Sequence, residues 1–542
     1  MVETHEVLNQ PPPLEDYNLF ERDPALVEAL SREGGDWAAD RARALGAAAG
    51  SRRIIQLARD ANRHSPEFRP FDRFGHRVDE VEYHPAYHAL MDWGITEGMH
   101  ALPWIDQRAG AQAARAALYY LFQQAENGVA CPITMTYAAY PALLQQQDLA
   151  AEWVPRIVST AYDPSNRPAT EKVGATIGMA MTEKQGGSDV RANTTRARPL
   201  GSGGPGGEYA LTGHKWFCSA PMSDAFLTLA QTANGLSCFL VPRWRPDGKK
   251  NRILIQRLKD KLGNRSNASS EIEYDGAWAR LLGEEGRGVP TIIRMVQHTR
   301  LDCVIGSAGI MRRALVEALH HASHRTAFQR CLIDQPLMRT VLADLAIESE
   351  AAMALTMRLA RAYDGSNESE RSFARIATAI GKYWVCKRTP AVVTEAMECL
   401  GGNGYIEESV MPRLYREAPL NGIWEGSPNV ICLDVLRAMQ REPASIDALR
   451  AEFATARGAD PRYDRFVAVI DATDRGNEAG VRQLVERLAL ALQGALLVRY
   501  APPPVSDAFC ATRLEGQCSR SFGTLPSTID TVSILRRAWA PT

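Results

Sequence analysis

"GATIGMAMTE", residues 174–183, is where the texture of the chain changes, and its reading decides the fold. Upstream, from Pro24 to about Ser165, the pattern is helical. "RAGAQAARAALYYLFQQAENG" (108–128) is rich in good helix formers and ends at Gly128, which reads as a helix C-cap. Downstream, as far as Val289, short runs with β-branched or aromatic residues follow one another: "EYALTGHKWFCSA", "AFLTLAQT", "LSCFLVPRW" and "SEIEYDGAW". The turn signals "GSGGPGGE" and "RPDGKKN" separate them. Helices return at about Thr291. Leu301, Val304, Ala308, Met311, Leu315 and Leu319, three or four apart, form one stripe of a long amphipathic helix. "VLADLAIESEAAMALTMRLARAY" (341–363) and "RSFARIATAIGKYWVCKR" continue the bundle.

The expected architecture is therefore mainly α with an inserted β domain. An N-terminal arm (1–23), stiffened by Pro11, Pro12 and Pro13, precedes a helical domain (24–169), a β domain (170–290) and a helical bundle (291–440). A further helical domain (441–542) is broken by "APPPVSD" (501–507). With 542 residues, two to four domains of about 100–200 residues are expected.

Hydrophobic residues make up 45% and charged residues 23%, and 62 basic side chains face 63 acidic ones, so global charge points to no polyanion or membrane surface. The start has acids where a signal peptide needs a basic region, and "LALALQGALLV" (488–498) falls short of the roughly 20 residues that span a bilayer. Ten cysteines are scattered without a C-x-x-C pair, which fits a reduced cytoplasm and thiols used as small core residues. His320, His321 and His324 lack a carboxylate at ligand spacing, so no metal site is expected.

Five segments carry chemistry. "MTEKQGGSDV" (181–190) offers Thr182 and Ser188 to a polar ligand edge, with Gly186 and Gly187 permitting close approach, although a turn between strands also accounts for it. "LTGHKWFCSA" (211–220) holds an aromatic and a hydroxyl, while Cys218 passes for a core residue. "LGNRSNAS" follows, and "ECLGGNGYIEES" places a glycine-rich backbone at a helix end, fit for dinucleotide phosphates or for a plain C-cap. "RLYREAPLNGIWEGS" (413–427) sets a lone carboxylate, Glu425, between a tryptophan and a glycine. An apolar wall and a small neighbour are what a proton-abstracting base requires, although an exposed turn after a helix also accounts for the stretch.

Bearing all five in this order, the chain resembles the acyl-CoA dehydrogenase superfamily. Its arm, its extra C-terminal domain and the wording of its motifs resemble the AidB branch over nearly the whole length. The resemblance implies an N-terminal helical domain, a β-barrel, a four-helix bundle and FAD as cofactor. Glu425 then aligns with the base that removes the α-proton of an acyl thioester while a β-hydride moves to the flavin. The carbonyl is polarised by hydrogen bonds. Cofactor contacts are implied for Met181, Thr182, Gly187, Ser188, Phe217, Cys218 (through its backbone) and Ser219. Arg325, Phe328 and Gln335 match the family's R-x-x-F-G…Q segment, with Gln329 replacing the glycine. Gly401, Gly402, Asn403, Ile423, Trp424, Gly426, Ser427 and Asn429 complete the set.

Gln297 stands where many of these enzymes carry a substrate-contacting acid. The AidB resemblance points to double-stranded DNA as a partner, a role in the response to DNA alkylation, and weak isovaleryl-CoA-like dehydrogenase activity in a homotetramer. Residues 441–542 hold 13 arginines and no lysine against 12 acids. Arg437, Arg441, Arg513, Arg520, Arg536 and Arg537 lie near domain ends with few acids close by, and guanidinium forks suit phosphate oxygens. The alternative is a working short- or branched-chain acyl-CoA dehydrogenase whose extra domain only builds the oligomer.

Overall fold

Seven strands between Ile177 and Leu282 form the β domain: β1 (Ile177–Ala180), β2 (Arg196–Pro199), β3 (Glu208–Ser219), β4 (Ala225–Thr232), β5 (Gly235–Pro242), β6 (Ile253–Leu258) and β7 (Ser269–Leu282). In the computed structural model, which describes residues 4–365, 367–471 and 478–539, five of them pair in a closed ring, β4–β2–β3–β7–β5 and back to β4. Closure leaves the ring without an exposed edge. β1 joins β4 in parallel, and β6 joins β7. Tyr209, Leu211, Phe226, Phe239, Ile272 and Leu281 fill the interior.

The chain divides into two compact units, one of residues 53–108 and 125–302, the other of 1–52, 109–124 and 303–542. The first holds the barrel. It also holds a hairpin, Glu67–Phe71 paired with Arg77–Glu82, that the helical reading of 24–169 did not anticipate. Gly128 is a second correction. The helix ends at Ala125, and Gly128 is not left-handed. A Cβ there would run into Ser266, so close approach is what requires glycine.

The second unit is helical. Its principal members are residues 303–324 of the helix Gly288–His324, with Pro336–Asp364, Glu368–Cys399, Pro428–Arg441 and Val481–Tyr500. The stripe from Leu301 to Leu319 is buried as its spacing predicts. Residues 441–539 are part of this unit and not a separate domain. The physical reason is a set of buried polar ties. Arg358 donates to Glu452 at 2.8 Å, and Trp384 Nε1 donates to Gln493 at 3.1 Å. Arg513, 10% exposed, reaches Asp344 at 2.5 Å and Glu348 at 3.2 Å. Among the described residues, no helix is long and apolar enough to cross a membrane.

These ties correct two of the DNA candidates. Arg513 is an internal anchor, and Arg537 is engaged by Glu28 and Glu350 at 2.7 and 2.9 Å. Arg437, Arg441, Arg520 and Arg536 are exposed.

Burial works to raise the pKa of Glu348, and Arg388 and Arg513 overcome it to hold the carboxyl at about 2. A depressed folded pKa contributes stability above the ordinary carboxylate value of about 4.3, and that stability is lost as pH falls toward 2. Arg513→Met should destabilise the protein by about 3–5 kcal/mol at neutral pH and move acid unfolding to higher pH, read by urea denaturation between pH 7 and 3.

Candidate functional site

In the barrel unit the segments 181–190 and 211–220 are held together by one ion pair. Lys215 on β3 donates to Glu183 at 2.8 Å, both side chains at 0% exposure, and to the Leu229 carbonyl at 2.8 Å. Glu183 also accepts from Thr194 N at 2.6 Å and Thr195 N at 3.2 Å. Burial alone would raise its pKa; these bonds hold it at about 2. The backbone adds a bridge, Trp216 N to the Thr182 carbonyl at 2.8 Å.

β3 pairs with β7 through Lys215↔Ile272 and Cys218↔Ser270, so one extra residue bulges between them. Strict alternation would turn Phe217 into the core. The bulge turns it out, at 48% exposure, while Cys218 returns to the interior. Cys218 is thus a core thiol, pushed up to about 12 by burial, and its carbonyl accepts from Ser270 at 3.0 Å. Ser219 shares a 3.2 Å hydrogen bond with Ser269. Gly187 is required where it is because a Cβ would strike Thr182. Met181 and Thr182 are half-buried and Ser188 is exposed.

In the helical unit, Arg325 begins a small hairpin, Thr326–Ala327 with Arg330–Cys331. Its turn residues Phe328 and Gln329 both have positive φ, 50° and 64°. The glycine that Gln329 replaces would meet that geometry without strain. Phe328 is 93% exposed. The N-terminal arm docks here. Asn9 clamps Thr326 by two 2.7 Å bonds, Arg325 Nη1 donates to the Asn9 carbonyl at 2.6 Å, and Asn403 donates to Gln10 at 3.1 Å. His320 Nε2 donates to the Pro12 carbonyl at 2.8 Å, and no described cluster of His, Cys, Asp and Glu could hold a metal. Gln335 donates to the Ala327 carbonyl at 3.0 Å. Gly401, at φ 58°, and Gly402 face open space.

The turn carrying Glu425 is a second point of backbone strain in this unit. Glu425 has φ 58° and Gly426 φ 112°. A left-handed glutamate costs about 1–2 kcal/mol. Trp424 Nε1 donates to Asn421 at 2.8 Å, and Lys382 Nζ donates to the carbonyls of Trp424, at 2.8 Å, and Gly426. Ser427 precedes the helix Pro428–Arg441 without capping it through its side chain. Ile423 is exposed, and Asn429 accepts from Arg482 at 2.9 Å, so its side chain is shared with the C-terminal segment. Sequence reasoning missed Lys382, Lys215 and Glu183. A lone lysine inside "ATAIGKYWVC" was the available signal for the first.

The order of these elements has relatives. Residues 9–164 match the adaptive response protein AidB N-terminal domain. Residues 178–277 match the acyl-CoA dehydrogenase middle domain, and 286–440 the acyl-CoA dehydrogenase C-terminal domain. The chain is 48% identical over 518 residues to AidB of Escherichia coli (strain K12), covering 95% of each. The chain belongs to the AidB branch of the acyl-CoA dehydrogenase family. Among solved structures, Caenorhabditis elegans ACDH-11 in complex with C11-CoA superposes with a TM-score of 0.83 at 26% identity, covering 99% of this chain and 93% of that one. Bd2924 in its apo-form gives 0.82 at 29%, covering 91% and 99%.

As a member of this family the chain is a flavoprotein of the dehydrogenase type, with FAD as its cofactor. The residues present fit that group. The barrel unit offers an outward ring at Phe217 and the hydroxyls of Thr182 and Ser188. The helical unit offers a glycine turn open to its surroundings.

Because Lys215 and Glu183 lie wholly out of water, removing one partner strands the other. Lys215→Met should cost about 3–5 kcal/mol and lower the flavin-to-protein ratio, and adding Glu183→Gln should recover part of both. Thermal melting and flavin absorbance measure the two.

Proposed function

We propose that the chain is an FAD-dependent dehydrogenase acting weakly on a short or branched acyl-CoA of the isovaleryl type, and that it holds double-stranded DNA in the response to alkylation damage. The observation that carries the enzymatic half is Glu425, a carboxylate kept in a left-handed turn between Trp424 and Gly426. Glu425 accepts the α-proton of the thioester on its carboxylate. Trp424 gives the base an apolar neighbour, and Gly426 leaves room for the acyl chain. Bound FAD supplies the acceptor for the hydride that leaves the β-carbon.

Met181, Thr182, Gly187, Ser188, Phe217 and Ser219 would hold the cofactor from the barrel unit, together with the Cys218 backbone. By the family resemblance, Arg325, Phe328 and Gln335 would reach the FAD of a neighbouring subunit, and Gly401, Gly402, Asn403, Ile423, Trp424, Gly426, Ser427 and Asn429 would complete the contacts. A guanidinium has five N–H donors, so the bond from Arg325 to Asn9 leaves others for a pyrophosphate. Acyl-CoA as ligand agrees with the C11-CoA bound by ACDH-11. A cytoplasmic homotetramer completes the reading.

The DNA half rests on relationship to AidB and on the exposed Arg437, Arg441, Arg520 and Arg536. A second reading, a working dehydrogenase without a DNA role, is favoured by the internal ion pairs of Arg513 and Arg537, which give the C-terminal segment a structural task.

Glu425→Gln should slow flavin bleaching by butyryl-CoA or isovaleryl-CoA by about 10²–10⁴-fold with FAD still bound, because the amide keeps the shape and cannot take a proton. Bleaching at the parental rate would remove Glu425 as the base. For the DNA half, Arg520→Glu with Arg536→Glu should weaken binding to every duplex alike, leave the melting temperature unchanged, and flatten log affinity against log salt by about 0.9 per lost contact. An unchanged affinity and slope, measured by fluorescence anisotropy, would leave both as ordinary surface residues.

A further inference from the structure

Lys382 lies in the helix Glu368–Cys399, 1% exposed, among the buried Ala379, Ile380, Gly381, Val385 and Cys386. Its ammonium donates to the carbonyl oxygens of Trp424 and Gly426, and among the described residues no carboxylate pairs with it. An ammonium without water or a counterion is an expensive thing to bury. A core position in this helix would accept leucine or methionine more cheaply, so the cation has a task there.

The two carbonyls it binds identify that task. They belong to the residues on either side of Glu425, so one ammonium fixes the peptide groups that bracket the left-handed pair Glu425 and Gly426. One helical turn further along the same helix face, Cys386 Sγ accepts from Ser307 Oγ at 3.3 Å. Ser307 in turn accepts from Asn421 Nδ2 at 3.2 Å, and Asn421 Oδ1 accepts the Trp424 indole N–H at 2.8 Å. The helix therefore grips the turn twice, through its backbone at Lys382 and through the Trp424 side chain by way of Cys386, Ser307 and Asn421. A charged donor makes the stronger bond to each carbonyl, and a four-carbon stem lets one nitrogen reach both.

We propose that Lys382 is the positioning residue for Glu425, holding the left-handed turn that aims its carboxylate; this rests on the reading of Glu425 as the base. Lys382 touches neither cofactor nor substrate in this role. It acts through the Trp424 and Gly426 carbonyls.

The test uses the full FAD-loaded chain with Lys382→Met, and Lys382→Gln as a second variant that keeps N–H donors should methionine impair folding. Hydrogen exchange in a peptide spanning 421–430 should accelerate about tenfold or more, one lost tie being worth at least that factor, while peptides elsewhere on the Glu368–Cys399 helix exchange as in the parent. Stopped-flow bleaching by butyryl-CoA and isovaleryl-CoA should slow by about 10–100-fold at saturation with the half-saturating concentration unchanged, as expected for a displaced base and a preserved binding site. Exchange in 421–430 equal to the parent, in whichever variant retains FAD, would overturn the proposal whether or not either thioester is a substrate. Parental bleaching in Glu425→Gln would instead remove the base assignment and leave the exchange result to decide Lys382.

Discussion

An ammonium group that leaves water must find partners for its N–H donors inside the protein, and each unit ties a functional motif to that constraint. In the barrel, Lys215 gives its donors to Glu183 and the Leu229 carbonyl, and Glu183 gathers the Thr194–Thr195 backbone on its two carboxylate oxygens. The strand that carries Phe217 and the loop that carries Thr182 are thereby fixed to each other. In the helical unit Lys382 does the same for the turn at Glu425, with two backbone carbonyls and no carboxylate. Buried cations are costly, and a fully bonded one resists local rearrangement for the same reason.

Small irregularities then aim the side chains that regular structure would hide. One bulged residue in β3 separates the outward Phe217 from the inward Cys218, although both lie in one continuous strand. Positive φ at Phe328 and Gln329 throws the phenyl ring to the surface of a two-residue turn, and the N-terminal arm holds that hairpin through Asn9. Such departures persist only where surrounding contacts over-determine them. Asn9 and Lys382 are those contacts.

The C-terminal segment shows how charge counts mislead. Its arginines are numerous in the sequence, yet Arg513 and Arg537 spend their guanidinium groups inside the helical unit on Asp344, Glu348, Glu28 and Glu350. Of the six arginines singled out from the sequence, Arg437, Arg441, Arg520 and Arg536 are the ones that stay exposed to an external anion.

The sequence by itself determined the order of helices, β domain and bundle, because periodicity and turn residues are local properties, and five ordered motifs were enough to place the family. It also drew attention to Glu425, through its place in the last of those ordered motifs rather than through its two neighbours alone. Only the tertiary structure decided which lysines are buried beneath the motifs, since Lys215 and Glu183 are 32 residues apart and Lys382 and Trp424 are 42 apart. It likewise decided that Gly128 serves close packing, that β3 bulges, and which arginines face water. Each of these depends on what the fold brings against a residue from a distant part of the chain, and nothing in the residue's own neighbourhood records that partner.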